Sequence, residues 1–175
     1  MGKKVAVIGG AEHGKTTFIK ALGSVFGGDA DVIPDDEFRI GKNEAEIEYK
    51  GENYVFFEYN SFEGFEENIS VTEDAAVMVT DACEGPMFGA RELLRLCVER
   101  GIENYVIFMN KCDIVNDDEL VELCLADTRE VFDEEGVFSD DVPAVCGCAK
   151  RADWYPESED GYVMYEVMEA LSKLL

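Results

Sequence analysis

The run Gly9-Gly10-Ala11-Glu12-His13-Gly14-Lys15-Thr16-Thr17 limits the possible folds more than any other part of the chain. It follows the β-branched stretch Val5-Ala6-Val7-Ile8 and precedes Phe18, Ile19, Leu22 and Phe26, which recur at helical spacing. A strand, a loop of the form G-x-x-x-x-G-K-T and a helix, in that order, make a phosphate cradle. Each part has a physical task. Glycines let the backbone curl so that successive N–H groups face one anion. The helix that begins near Lys15 adds its positive end. Lys15 supplies a mobile cation for terminal phosphates, and the Thr16 hydroxyl is a ligand for Mg²⁺. Gly10, Ala11, Glu12, His13, Gly14, Lys15, Thr16 and Thr17 are the candidate phosphate-binding residues, with Thr16 the candidate metal ligand. Glu12 is an unusual residue at an anion site; its side chain is expected to face solvent or metal-bound water.

Farther along, short apolar runs alternate with amphipathic stretches. Gly27-Gly28 stops the first helix. Residues 29–43 are acidic, contain Pro34 and show no period, which predicts a long loop. Residues 44–49 and 53–59 flank Lys50-Gly51-Glu52 and predict a hairpin. Residues 60–74 read as irregular or weakly helical. Residues 75–79, 105–109 and 143–146 read as strands, and 90–100, 117–132 and 162–175 as helices. Strands alternating with helices predict an α/β fold of the P-loop NTPase type. Its sheet should be mostly parallel, with one antiparallel hairpin strand and helices on both faces. The 175 residues predict one domain with its own core.

Ligands of such sheets bind at the carboxyl ends of the strands, and a second motif falls there. Asn110-Lys111-Cys112-Asp113 follows the strand Tyr105-Val106-Ile107-Phe108-Met109. The Asp113 carboxylate can accept from a ring N–H and an exocyclic amine of guanine. Adenine cannot offer that pair, so choosing it would leave the acid unpaired. Asn110 would tie this loop to the phosphate loop, and the Lys111 stem would cover the base. The alternative is a charged helix-entry turn with Asp113 as its cap. Cys148-Ala149-Lys150, after the last strand, would direct backbone N–H groups at the guanine oxygen.

Charge narrows the partners. The chain has 39 acids, 15 bases and a formal net charge of -24, which argues against direct contact with nucleic acid or an anionic membrane surface. Fifteen acids and three bases lie between Asp29 and Asp74. They form either a solvated face or a docking surface for a basic protein. The six cysteines contain no C-x-x-C pair and are expected to be free thiols of a reducing, cytoplasmic setting. A metal site at Cys146-Gly147-Cys148 is not expected, because His13 is the single histidine and no second cysteine pair exists. The apolar run at the start is too short for a signal peptide or a membrane span.

Together these residues resemble the GTP-binding domain of bacterial elongation factor Tu. Gly9 to Thr17 is similar to the family's G-H-V-D-H-G-K-T-T, and Asp81-Ala82-Cys83-Glu84-Gly85-Pro86-Met87 to its A-A-T-D-G-P-M. Arg91-Glu92 matches T-R-E, Asn110 to Val115 is nearly N-K-C-D-M-V, and Gly147-Cys148-Ala149 resembles G-S-A. The resemblance implies the family's fold and the binding of GTP and GDP with Mg²⁺. It also shows departures. The family continues into two β-barrel domains that help grip aminoacyl-tRNA, whereas the 175 residues are expected to form the GTP-binding domain alone. Where the first switch has R-G-I-T-I, Gly41 takes the place of the Mg²⁺-binding threonine. Set against the second switch, D-C-P-G-H, are Asn60, Glu63 and Gly64 at the aspartate, glycine and histidine. The resemblance thus implies a degenerate GTPase with slow or absent hydrolysis and weakened Mg²⁺ dependence. The alternative is a pseudo-GTPase scaffold whose acidic face holds a basic partner.

Overall fold

The computed structural model describes residues 2–31, 43–59 and 73–175. Its sheet has the strand order β2-β3-β4-β1-β5-β6-β7. At the centre, β1 (Lys3–Gly9) pairs in parallel with β4 (Glu52–Glu58) on one side and with β5 (Ala75–Asp81) on the other. β6 (Tyr105–Asn110) and β7 (Ala144–Cys146) extend the parallel array. β3 (Glu44–Tyr49) runs antiparallel to β4, and β2 (Asp29–Asp31) antiparallel to β3. Among the described strands β3 alone runs against the rest, which is the mostly parallel sheet with one reversed hairpin strand that the sequence predicts. Tyr49 pairs with Glu52, so Lys50 and Gly51 form a two-residue turn. Both have positive φ, at 52° and 79°, and that handedness matches the twist of the flanking strands.

Six α-helices are described: α1 (Lys15–Phe26), α2 (Phe88–Glu99), α3 (Cys112–Val115), α4 (Asp118–Glu134), α5 (Ala149–Trp154) and α6 (Glu159–Leu174). α1, α5 and α6 cover one face of the sheet, where Phe18, Ile19 and Leu22 meet Val5, Val7, Phe56 and Phe108. α2 and α4 cover the other, where Leu93, Leu94 and Phe132 meet Ala6, Ile8, Met78 and Ile107. Cover on both sides explains why every residue of β5 and β6 is buried. Asp117 caps α4, its Oδ1 accepting from the N–H groups of Glu119 and Leu120 at 3.0 and 3.3 Å. No helix among the described residues is long and apolar enough to cross a membrane.

The structure changes two expectations. Residues 29–31, predicted as loop, form β2, because backbone pairing with Glu44, Ala45 and Glu46 overrides the poor strand propensity of Asp-Ala-Asp. The short helices α3 and α5 follow β6 and β7 at the expected binding end, where the sequence shows no helical period.

Candidate functional site

The phosphate loop joins β1 to α1. Gly9 has φ 151°, and a Cβ there would meet the Val79 carbonyl oxygen at 2.2 Å. Gly14 has φ 97°, and its Cβ would meet Asn110 Nδ2 at 2.3 Å. Gly14→Ala is therefore expected to displace Asn110 and destabilise the fold by about 1 kcal/mol or more, read as a lowered midpoint in urea. Gly14 is also the N-cap of α1, and no side chain caps this helix end. The first N–H groups of α1 thus have no partner within the helix, and the end carries the helix's partial positive charge.

Lys15 is 4% exposed and its Nζ donates to the carbonyl oxygens of Gly9 and Gly10 at 3.2 and 2.7 Å. Burial lowers the pKa of its ammonium, and the Glu58 carboxylate works in the opposite sense. His13 is wholly buried, and Gly10 N–H donates to its Nδ1 at 3.3 Å. Nδ1 also lies 3.4 Å from the Val79 carbonyl oxygen, and Nε2 faces the Glu84 carboxylate at 3.8 Å. Burial lowers the pKa of His13, so the imidazole stays neutral inside the loop. Ala11 and Glu12 are exposed at the loop's tip, and Glu12 has φ 60°.

Thr16 shows what the sequence reading missed. Its hydroxyl donates to Glu58, with both carboxylate oxygens 2.9 Å away. Glu58 is the last residue of β4 and 5% exposed, and Asn43 Nδ2 donates to its Oε2 at 2.5 Å. An acid thus meets the candidate metal ligand two residues before Asn60, which the sequence reading set at the metal-holding aspartate. The strand end decides the register: Glu58 pairs with Val7 of β1, so its side chain emerges beside the phosphate loop. The aromatic run around it, Tyr54 to Tyr59, masks this signal. Because Thr16 donates its proton to Glu58, a hydroxyl lone pair is left for a cation. A hydroxyl and a carboxylate are the hard oxygen donors Mg²⁺ takes, with phosphates and water completing its shell. The residues fit the ion. Gly41, Asn60, Glu63 and Gly64 lie outside the described residues. Among the described residues, no group of three or more His, Cys, Asp or Glu is gathered to hold a metal by itself.

At the other end of the site, Asn110 is 2% exposed and joins three loops. Its Nδ2 donates to the His13 carbonyl at 2.9 Å, and its Oδ1 accepts from Ala149 N–H at 2.9 Å. Lys111, with φ 62°, reaches across to the Glu12 carbonyl at 2.9 Å and to Asp81 Oδ2 at 2.5 Å. Burial opposes ionisation of Asp81, but the Lys111 ammonium and the Cys83 N–H overcome it and hold its carboxyl below the usual range. Asp113 is exposed at the start of α3, and its carboxylate neighbours the Cys148 side chain. Two N–H groups expected to face a guanine oxygen are engaged within the protein. Cys148 N–H donates to Asp160 Oδ1 at 2.9 Å, and Ala149 N–H to Asn110 as above. Lys150 is exposed, its ammonium 4.5 Å from the centre of the Trp154 ring.

Phosphate loop, acid, base-reading loop and the turn before α5 therefore converge at the carboxyl ends of β1, β4, β6 and β7. A family model described as the elongation factor Tu GTP binding domain matches residues 61–175. The match includes Asn110, Lys111, Asp113 and Cys148 and begins after the phosphate loop.

Proposed function

Since the chain belongs to the elongation factor Tu GTP-binding domain family, we propose that it binds GDP and GTP with Mg²⁺ and hydrolyses GTP slowly or not at all. The observation that carries this reading is Asn110, whose amide ties the phosphate loop to both loops of the base-binding end. The N–H groups opening α1 receive the phosphates, and Lys15 turns from the loop carbonyls toward them. Asp113 selects guanine. Thr16 and Glu58 would hold Mg²⁺, which would supply charge neutralisation at the phosphates.

Slow hydrolysis follows from the second switch. Counted from Glu58, Ser61 and Phe62 fall where the family's D-C-P-G-H has its glycine and histidine. A phenyl ring offers no hydrogen bond to position an attacking water. In single-turnover assays with labelled GTP and saturating Mg²⁺, the rate is expected below about 10⁻⁴ s⁻¹, under that of ordinary unassisted GTPases. A faster rate would refute the degenerate switch. Glu58→Gln is expected to reduce the Mg²⁺-dependent gain in GDP affinity about tenfold and leave the affinity measured in EDTA unchanged. The free thiols support a reducing, cytoplasmic setting.

A second reading has one observation in its favour. Glu44, Glu46 and Glu48 alternate along β3 as exposed residues, an acidic row beside the hairpin turn. In this reading the domain is a pseudo-GTPase scaffold that docks a basic protein. Salt-sensitive binding of a Lys/Arg-rich peptide, lost in the triple Glu→Gln variant and indifferent to GDP, would favour it.

A further inference from the structure

Two cysteines from distant parts of the chain meet beside the base-reading loop. Cys146 ends β7 as the register partner of Met109 in β6. Three residues after Met109, Cys112 opens α3, and its N–H donates to the Gly147 carbonyl at 3.2 Å. Gly147 N–H returns a bond to the Met109 carbonyl at 2.9 Å. These backbone bonds hold the two residues side by side; the Cys112 thiol donates to the Met109 carbonyl at 3.3 Å and interacts with the thiol of Cys146. Cys146 is exposed and Cys112 half-buried, so a small reagent can reach the pair from solvent. Cys148, the nearest other cysteine in sequence, is buried.

We propose that Cys112 and Cys146 are a redox-active dithiol, a modification site where a small-molecule disulfide is reduced as an intramolecular disulfide forms. The Cys146 thiolate attacks one sulfur of the external disulfide, releasing one thiol and leaving a mixed disulfide. The Cys112 thiol gives its proton to solvent and attacks the Cys146 sulfur, releasing the second thiol. Two protein thiols are oxidised, and one disulfide becomes two thiols. Cys146 is suited to attack first: the adjacent Cys112 side chain pulls its thiol down to about 7 against the effect of burial, so a share of it is thiolate at neutral pH. The same contact pushes Cys112 up.

Closing the bond alters the base-binding end. A disulfide is about 2.05 Å long, far shorter than any non-bonded contact between two sulfurs, so Cys112 is drawn toward β7. Cys112 adjoins Asp113, and the shift moves that carboxylate out of line with the base. This consequence rests on the guanine-nucleotide reading.

The test treats the full chain with oxidised glutathione, alkylates the remaining thiols and maps the linked peptides by mass spectrometry. A Cys112–Cys146 link, absent from Cys112→Ser and Cys146→Ser, is expected. A Cys146–Cys148 link, a glutathione adduct that never resolves, or no reaction at the pair would overturn the proposal. Labelled GDP is then titrated into reduced and oxidised protein. Affinity is expected to fall at least about tenfold on oxidation and to return with dithiothreitol. The mapped link with unchanged affinity would overturn the effect on the base. Reduced protein without affinity for GDP would sink the nucleotide reading, whereas the mapped link would still uphold the dithiol.

Discussion

Lys15→Ala is expected to weaken GDP binding by about 10- to 100-fold, the loss of one charge-assisted contact with phosphate. The buried ammonium rests on the Gly9 and Gly10 carbonyls at 3.2 and 2.7 Å, so it is already gathered at the mouth of the cradle. Burial lowers its pKa, meaning that the fold bears a desolvation cost to keep a cation there. A phosphate oxygen returns that cost by partnering the charge. The variant is therefore expected to hold its stability without nucleotide better than its affinity. Fluorescence titration with labelled GDP, alongside urea unfolding of both forms, separates the two effects. An unchanged affinity would show that the cradle does not engage phosphate.

Phe18→Ala is expected to cost about 3 to 5 kcal/mol and to lower the thermal midpoint by roughly 10 °C or more. Phe18 stands one turn into α1, fully buried, its ring 6.4 Å from that of Phe56 on β4 and 5.0 Å from that of Phe108 on β6. This one side chain anchors the helix that follows the phosphate loop to strands on both sides of β1. The cavity lies where fully buried neighbours cannot collapse without moving the sheet. Phe18→Leu keeps most of the volume and is expected to lose much less. Calorimetry of the three proteins checks the order. A midpoint within a few degrees of the parent for Phe18→Ala would mean that α1 is not fixed through this contact.

These two residues were legible in the sequence, since a strand, a glycine-bounded loop and apolar residues at helical spacing place both. The hairpin and the N-K-C-D loop were equally plain, because turn chemistry and motif spacing are local signals. What stayed hidden depends on contacts between distant residues. The acid beside Thr16 lies 42 residues away, at the end of an aromatic strand whose last residue no local pattern marks. The pairing of Lys111 with Asp81 and of Cys112 with Cys146 comes from the parallel order of β5, β6 and β7. β2 is three residues long and acidic, and only its neighbour β3 makes it a strand. Asp160, which takes the Cys148 N–H, stands in the first turn of α6, before the start at residue 162 that the apolar spacing predicts.

The site described here is one arrangement of four loops at a common edge, held by Asn110 and by the Thr16–Glu58 bond. Its central claim is that a guanine nucleotide fills it. Isothermal titration of nucleotide-free protein with GDP and with ADP, both with Mg²⁺, tests that claim most directly. GDP is expected to bind at least about 100-fold more tightly than ADP, with the preference erased in Asp113→Ala. Equal affinities for the two nucleotides, or no heat with GDP, would contradict it.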